Sequence, residues 1–250
     1  MNDVSKRTPR ASTPLSERGC PQPQQPGNCK NDTAGMNRAL EDQDHQKEFL
    51  TDKPVETYRT KILRKCHESV EMKESFFSQY AGPIEAMARD MAGRFQQGNK
   101  LLVMGNGGSL CDALHFSVEF THPIIEKRPA FPVIPLMVDI ATMTAISNDV
   151  DSSRVFVNQL RLLGQPGDMA LAVSTSGKSP NLIYALEEAR KRQMLTIAWA
   201  GKDGGRFPEI ADYCFIVPSY SIHRIQEVHA TLVHVAWDLI HIALGAEDVI

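Results

Sequence analysis

Beyond Lys100 the chain alternates short, almost continuously apolar runs with longer segments of helical character, a pattern that few folds accept. The runs are LLVMG, PVIPLMV, DMALAVS, LTIAWAG and DYCFIVP. A strand that is apolar on both sides must be covered on both sides, which is the situation of a parallel sheet with helices packed above and below it. Helical stretches follow the runs, from Ser109 to about Phe120, around Ile140 to Ile146, from Arg154 to Leu163, from about Pro180 to Arg192 and from about His223 to Leu244. The pattern predicts an α/β fold built on a doubly wound, five-stranded parallel sheet.

Two segments precede the sheet. From Val55 onward Tyr58, Ile62, Cys66 and Val70 recur every four residues, and Phe76, Phe77 and Tyr80 extend the apolar face of a long amphipathic helix. Pro83 is read as opening a second helix, with Ile84, Met87, Met91 and Phe95 on one face and Gly98-Asn99 as its stop, so that the two form a helical hairpin. Residues 1–54 are rich in Pro, Gln, Asn, Ser and charge and carry too little apolar material to offset the entropy of ordering. They are expected to be a disordered leader, with 55–250 as the folded domain. Met36 opens the helix-friendly run MNRALEDQDHQKEFL, so a start at Met36 and a genuine extension both fit.

The net charge of −3 gives no basic footprint for nucleic acid. No stretch of about 18 apolar residues is long enough to cross a membrane. Five scattered cysteines, Cys20, Cys29, Cys66, Cys111 and Cys214, lack any Cys-x-x-Cys spacing and suit a reducing cytoplasm.

In a sheet of this type ligands bind beyond the carboxyl ends of the strands. The first run ends in Gly105-Asn106-Gly107-Gly108-Ser109, where the glycines admit close approach of a ligand and a helix start offers free N–H groups; a plain tight turn accounts for the glycines equally well. The third ends in Ser174-Thr175-Ser176-Gly177-Lys178-Ser179 ahead of Pro180, more hydroxyls than helix capping needs and a fit to phosphate. It imitates a nucleotide P-loop, but Ala172 stands where that motif needs its first glycine.

Among ionisable residues, His115 and Glu119 lie four apart on one helix face, as a structural pair or as chemistry. On the last helix Glu227, Thr231, His234, Asp238 and His241 form a polar stripe that faces solvent, a cleft or a subunit boundary.

The two loops, together with Cys111-Asp112, Gly201-Lys202-Asp203-Gly204-Gly205 and Arg224-Ile225-Gln226-Glu227, stand in the order and spacing of the phosphoheptose isomerases of the SIS (sugar isomerase) domain superfamily, which the chain resembles from about Tyr58 to Leu244. The resemblance implies an aldose–ketose isomerase acting on sedoheptulose 7-phosphate, on the way to a lipopolysaccharide heptose precursor. It implies Zn²⁺ held by His115, Glu119, Gln226 and His234, with Glu119 as base and His234 as acid. It places Asn106, Gly107, Gly108, Ser109 and Gln226 against the substrate, Asn148 and Asp149 at the sugar hydroxyls, and Ser174, Thr175, Ser176 and Ser179 at the phosphate. A homotetramer with shared active sites is implied as well. A non-catalytic SIS-domain protein, similar to the DnaA initiator-associating factor, is the alternative; it lacks the acid–base pair that Glu119 and His234 form here.

Three departures from the family pattern stand out: His122-Pro123 in place of Gly-Arg, His223 in place of Asp, and Lys178 in place of Asn. Spacing adds a constraint. Gln226 and His234 are eight residues apart, about 12 Å along a helix and about 80° around it, so a second subunit is the easier way to join both to one metal.

Overall fold

The computed structural model describes residues 56–125, 128–136 and 139–248, and the expected leader lies outside them. Helix α1 (Tyr58–Gln96) comes first. Strand β1 (Leu101–Gly105), helix α2 (Gly108–Thr121) and strand β2 (Val133–Pro135) follow. Helices α3 (Ile140–Asp149) and α4 (Val155–Leu163) flank a 3-10 turn at Ser152–Arg154. Strand β3 (Met169–Val173), α5 (Pro180–Lys191), β4 (Leu195–Gly201), the short α6 (Phe207–Ile210), β5 (Tyr213–Val217) and α7 (Ile222–Ala243) complete the order.

The sheet runs β2-β1-β3-β4-β5, all parallel. Strands β1, β3 and β4 are buried at every position, as their unbroken apolar runs require. One face is covered by α1, α2 and α7, which place Phe95, Phe116, Phe120, Leu232 and Val233 against Val103, Leu171 and Trp199. The other is covered by α4, α5 and α6 through Phe156, Leu160, Leu186 and Phe207. Chain order reverses between β1 and β3, so the crevice of a doubly wound sheet opens where the Gly-rich loop and the hydroxyl-rich loop emerge. At the opposite end Asp168, buried, accepts from the Lys100 backbone N–H at 3.0 Å and pairs with its Nζ at 2.5 Å, tying the starts of β1 and β3.

The expected helical hairpin is corrected: α1 is one helix of 39 residues with Pro83 inside it. Proline disfavours helix at the preceding residue mainly by meeting its N–H and Cβ, and the preceding residue is Gly82, which has no Cβ. The helix therefore continues, lacking one hydrogen bond. From its middle onward it buries Phe76, Ile84, Met87, Met91 and Phe95, whereas Tyr58, Ile62, Leu63 and Val70 in its first half are exposed. Among the described residues, no helix is long and apolar enough to cross a membrane.

Because Pro83 interrupts a continuous helix, Pro83→Ala is expected to raise stability by about 1–3 kcal/mol in urea unfolding; a lower midpoint would show that the ring serves another contact.

Candidate active site

Two loops frame the crevice. Asn106 is held by a reciprocal pair of bonds to Asn181 in the first turn of α5, Nδ2 to Oδ1 at 3.1 Å and the return at 2.9 Å. These two asparagines, with Asp151, Ser152, Ser153 and Ser179, line a cleft of about 360 Å³. Gly107 stands just before α2 with φ of 55°, and Ser109 in the first turn is buried.

In the hydroxyl-rich loop Ser174 is buried and its Oγ accepts from the N–H groups of Ser176 and Gly177, at 3.3 and 3.1 Å, so this hydroxyl shapes the turn. Ser176 Oγ accepts from the Lys178 N–H at 3.4 Å, Thr175 is half-buried beside it, and Ser179 starts α5. The Gly201 to Gly205 motif locks this loop: a Cβ on Gly177 would lie 1.9 Å from the Gly204 carbonyl oxygen, and the Arg206 N–H donates to the Gly177 carbonyl. Lys178 is turned to Asp203 of the same motif, at 2.8 Å. Asn148 and Asp149 are exposed at the end of α3 and bonded to each other at 2.8 Å, while the cleft itself is lined by Asp151, Ser152 and Ser153 just beyond them.

The ionisable cluster forms where α2 and α7 run side by side in the same direction and in step. Gln226 lies on Gly108, His234 on His115, and Trp237 on Glu119. His115 Nε2 is 3.3 Å from Glu119 Oε1, and the His115 and His234 rings meet edge to face with centroids 4.7 Å apart. One ligand atom from each of His115, Glu119 and His234 lies within 4.8 Å of the others. Two imidazoles and a carboxylate converging from two rigid helices match the three-ligand set of a catalytic zinc with an open position.

Gln226 does not join them. Its Nε2 lies where a Cβ on Gly108 would be, which places it at the Gly-rich loop, two helical turns from His234. The four-ligand set implied by the resemblance thus divides within one chain into three converging donors and one at the Gly-rich loop.

The polar stripe on α7 also divides. His234 is exposed, but Asp238 and His241 are buried. Asp238 accepts from Arg128 Nη2 at 2.6 Å, and His241 Nδ1 is 2.8 Å from the Trp237 carbonyl oxygen. Off the stripe lies His229, fully buried, with Nε2 donating to the Ala200 carbonyl at 3.2 Å. A neutral His229 bonded in this way presents a bare Nδ1, and 3.9 Å away is Asp112 Oδ2; neither atom has a hydrogen-bond partner among the described residues. Burial pushes the Asp112 carboxyl up to about 6, against the pull of His115, and burial pushes His229 down to about 4, against its bond to Ala200. At 3.9 Å the two atoms are too far apart to share a hydrogen bond.

A cavity of about 550 Å³ lies between α1 and α7, lined by Phe77, Ile84, Val235, Leu239 and Ile242 among others. A second, of about 630 Å³, shares Val235, Leu239 and Ile242 and reaches Glu227, His234 and Asp238.

The sheet order and the hydroxyl-rich loop at its switch point fit a SIS domain, and the family model described as SIS domain matches residues 66–201. The phosphoheptose isomerase of Thermodesulfovibrio yellowstonii is 42% identical over 180 residues, 72% of this chain and 90% of that protein. That of Aquifex aeolicus is 41% identical over 72% of this chain and 94% of its own length. The solved phosphoheptose isomerase structures from Neisseria gonorrhoeae and Francisella tularensis superpose with a TM-score of 0.69 at 34% and 35% identity, covering 74% of this chain and 98% of each of theirs. The chain belongs to the phosphoheptose isomerase family, SIS-domain enzymes that interconvert aldose and ketose phosphates.

The Asp112–His229 pair has a pH signature. An unfolded His binds its proton near pH 6.5, and His229 in the fold only near 4, so acid favours unfolding across that window. Asp112 binds its proton near 6 in the fold and near 3.9 when unfolded, so acid favours the fold across that window, and the two effects oppose. Asp112→Asn removes the second, and its stability should fall relative to wild type by up to about 1.4 kcal/mol per pH unit between pH 6 and 4. Urea midpoints at stepped pH measure this, and parallel curves would contradict it.

Proposed function

We propose that this chain converts sedoheptulose 7-phosphate to D-glycero-D-manno-heptose 7-phosphate through an enediol, with Glu119 and His234 as the acid–base pair and His115, Glu119 and His234 holding Zn²⁺. The observation that carries the reading is the convergence of those three side chains on the α2–α7 seam, beside loops suited to a phosphorylated sugar. A bound Zn²⁺ would polarise the ketose carbonyl and its neighbouring hydroxyl, lowering the barrier to removing a proton between them.

The phosphate is received at the start of α5, where Ser176, Thr175 and Ser179 offer hydroxyls and the helix offers free N–H groups. Gly107, Gly108, Ser109 and Gln226 border the sugar chain, and Asn106 is fixed by Asn181 to face it. Along α2, seven residues or about 10 Å separate Gly108 from His115. A substrate that touches the Gly-rich loop and presents its reacting carbons to Glu119 needs a chain of several carbons, which favours a long sugar phosphate over a triose.

In the ketose-to-aldose direction Glu119 removes a proton from C1 while His234 gives one to the oxygen on C2, leaving the enediol. Glu119 then returns its proton to C2 and His234 takes the proton from the oxygen on C1, so that the two side chains regain their starting states. The chain would act as a homotetramer in which a second copy covers the apolar groove between α1 and α7 and shields His234 from bulk water. Gln226, at the substrate loop of its own chain, would join a metal only across such a copy boundary.

Following sedoheptulose 7-phosphate by NMR, Glu119→Gln should lose about 100- to 10,000-fold in kcat, and chelation should abolish turnover that Zn²⁺ restores. Full activity of the variant would overturn the assignment of Glu119 as the base. Leu239→Lys should lower the mass seen by light scattering and reduce kcat; an unchanged mass would remove that groove from the interface.

A further inference from the structure

Helix α2 ends against a residue that cannot complete it. In a continuing helix the Glu119 carbonyl would accept from the N–H four residues on, but that residue is Pro123, which has none. Pro123 also disfavours helical backbone at His122, which sits at φ −139° and ψ 71°. The last bond the helix makes for itself runs from the His122 N–H to the Val118 carbonyl, at 2.9 Å. The Glu119 carbonyl is met from another helix: Trp237 Nε1 of α7 donates to it at 2.8 Å.

The indole is held for that purpose from several directions. Trp237 is 3% exposed, and the Arg128 guanidinium lies 4.4 Å from its ring centroid. Arg128 is itself fixed by Asp238 at 2.6 Å and by the Glu247 carbonyl at 2.8 Å. The His241 ring is 4.7 Å from the indole by centroids. A side chain so clamped offers its N–H in one direction, and that direction is the residue whose carboxylate faces His115 and His234.

We propose that Trp237 is a positioning residue for the isomerisation: its indole N–H replaces the hydrogen bond that Pro123 cannot give, and so fixes the last turn of α2 and the Glu119 carboxylate it carries. The pairing connects the His122-Pro123 departure with a residue on α7 more than a hundred positions away, and it gives Asp238 its role, as the anchor of Arg128 under the indole. The proposal rests on Glu119 acting as the base.

The test is a double-mutant cycle with a spectroscopic readout. Trp237→Phe keeps an aromatic ring beneath Arg128 and removes the N–H; kcat should fall about tenfold or more with KM nearly unchanged, and the melting temperature should drop. Pro123→Ala supplies a backbone N–H and frees His122 to be helical, so the same Trp237→Phe change in that background should lose threefold or less in kcat and less in melting temperature. With two tryptophans in the chain, ¹⁵N labelling gives two indole resonances, and the one missing in Trp237→Phe should exchange slowly with solvent. Equal losses in both backgrounds, or rapid exchange of that indole proton, would overturn the proposal. Absence of turnover in the wild-type protein would instead overturn the isomerase reading, and the cycle in melting temperature would then decide whether the indole replaces the missing bond.

Discussion

Two helices that leave the sheet from different strands, α2 after β1 and α7 after β5, lie side by side with the same direction and the same register, and the candidate site is what that seam presents. Register matters because α2 alone brings only His115 and Glu119 together, four residues apart, and the third donor, His234, has to come from α7. Held in step, the pair brings His234 to His115 and Glu119 while leaving Gln226 at Gly108. What fixes the register is burial: Ala113, Phe116 and Phe120 on one helix and Ile225, Val228, Leu232 and Ala236 on the other share the face of the sheet, and a slip by one residue would take these from the core. Both helices also begin at the crevice, so their free N–H groups favour an anionic ligand there.

The polar groups buried along the seam belong to the same arrangement. His229 reaches the Ala200 carbonyl, Trp237 the Glu119 carbonyl, and Asp238 the Arg128 guanidinium, so the apolar helix α7 carries directional bonds at intervals along its length. Apolar packing alone tolerates small sliding, whereas directional bonds with one acceptor each do not. The acid–base pair proposed on these two helices needs that restriction, since proton transfer is sensitive to shifts of a fraction of an ångström.

The fold was largely legible because fully buried strands advertise themselves: LLVMG, MALAV and LTIAWAG have no polar alternation, and the loops after them carry the glycines and hydroxyls of the crevice. Pro83 misled because part of the usual consequence of proline depends on the residue before it, and Gly82 has no Cβ for the ring to meet. At the site, His115, Glu119 and His234 were legible as residues, and the two-turn separation of Gln226 from His234 followed from spacing alone. The roles of Asp238 and His241 were not, because helical period gives a shared face but not what covers it, and their cover comes from Arg128 and Pro129 over a hundred positions upstream. Asn181, Ser152 and Ser153 were missed for a similar reason: they enter the cleft through the topology of the switch point, although an asparagine directly after the helix-starting Pro180 was a usable signal.

The proposed zinc site takes its three converging donors from a single chain, through the α2–α7 seam. Calorimetric titration of Zn²⁺ into metal-free protein decides this, carried out on the assembled protein and on a form dissociated by a charge at Leu239. One Zn²⁺ per chain is expected in both forms, and it should be lost on removing the His234 imidazole. Binding confined to the assembled protein would contradict it, and would mean that the site is made between copies and not within one.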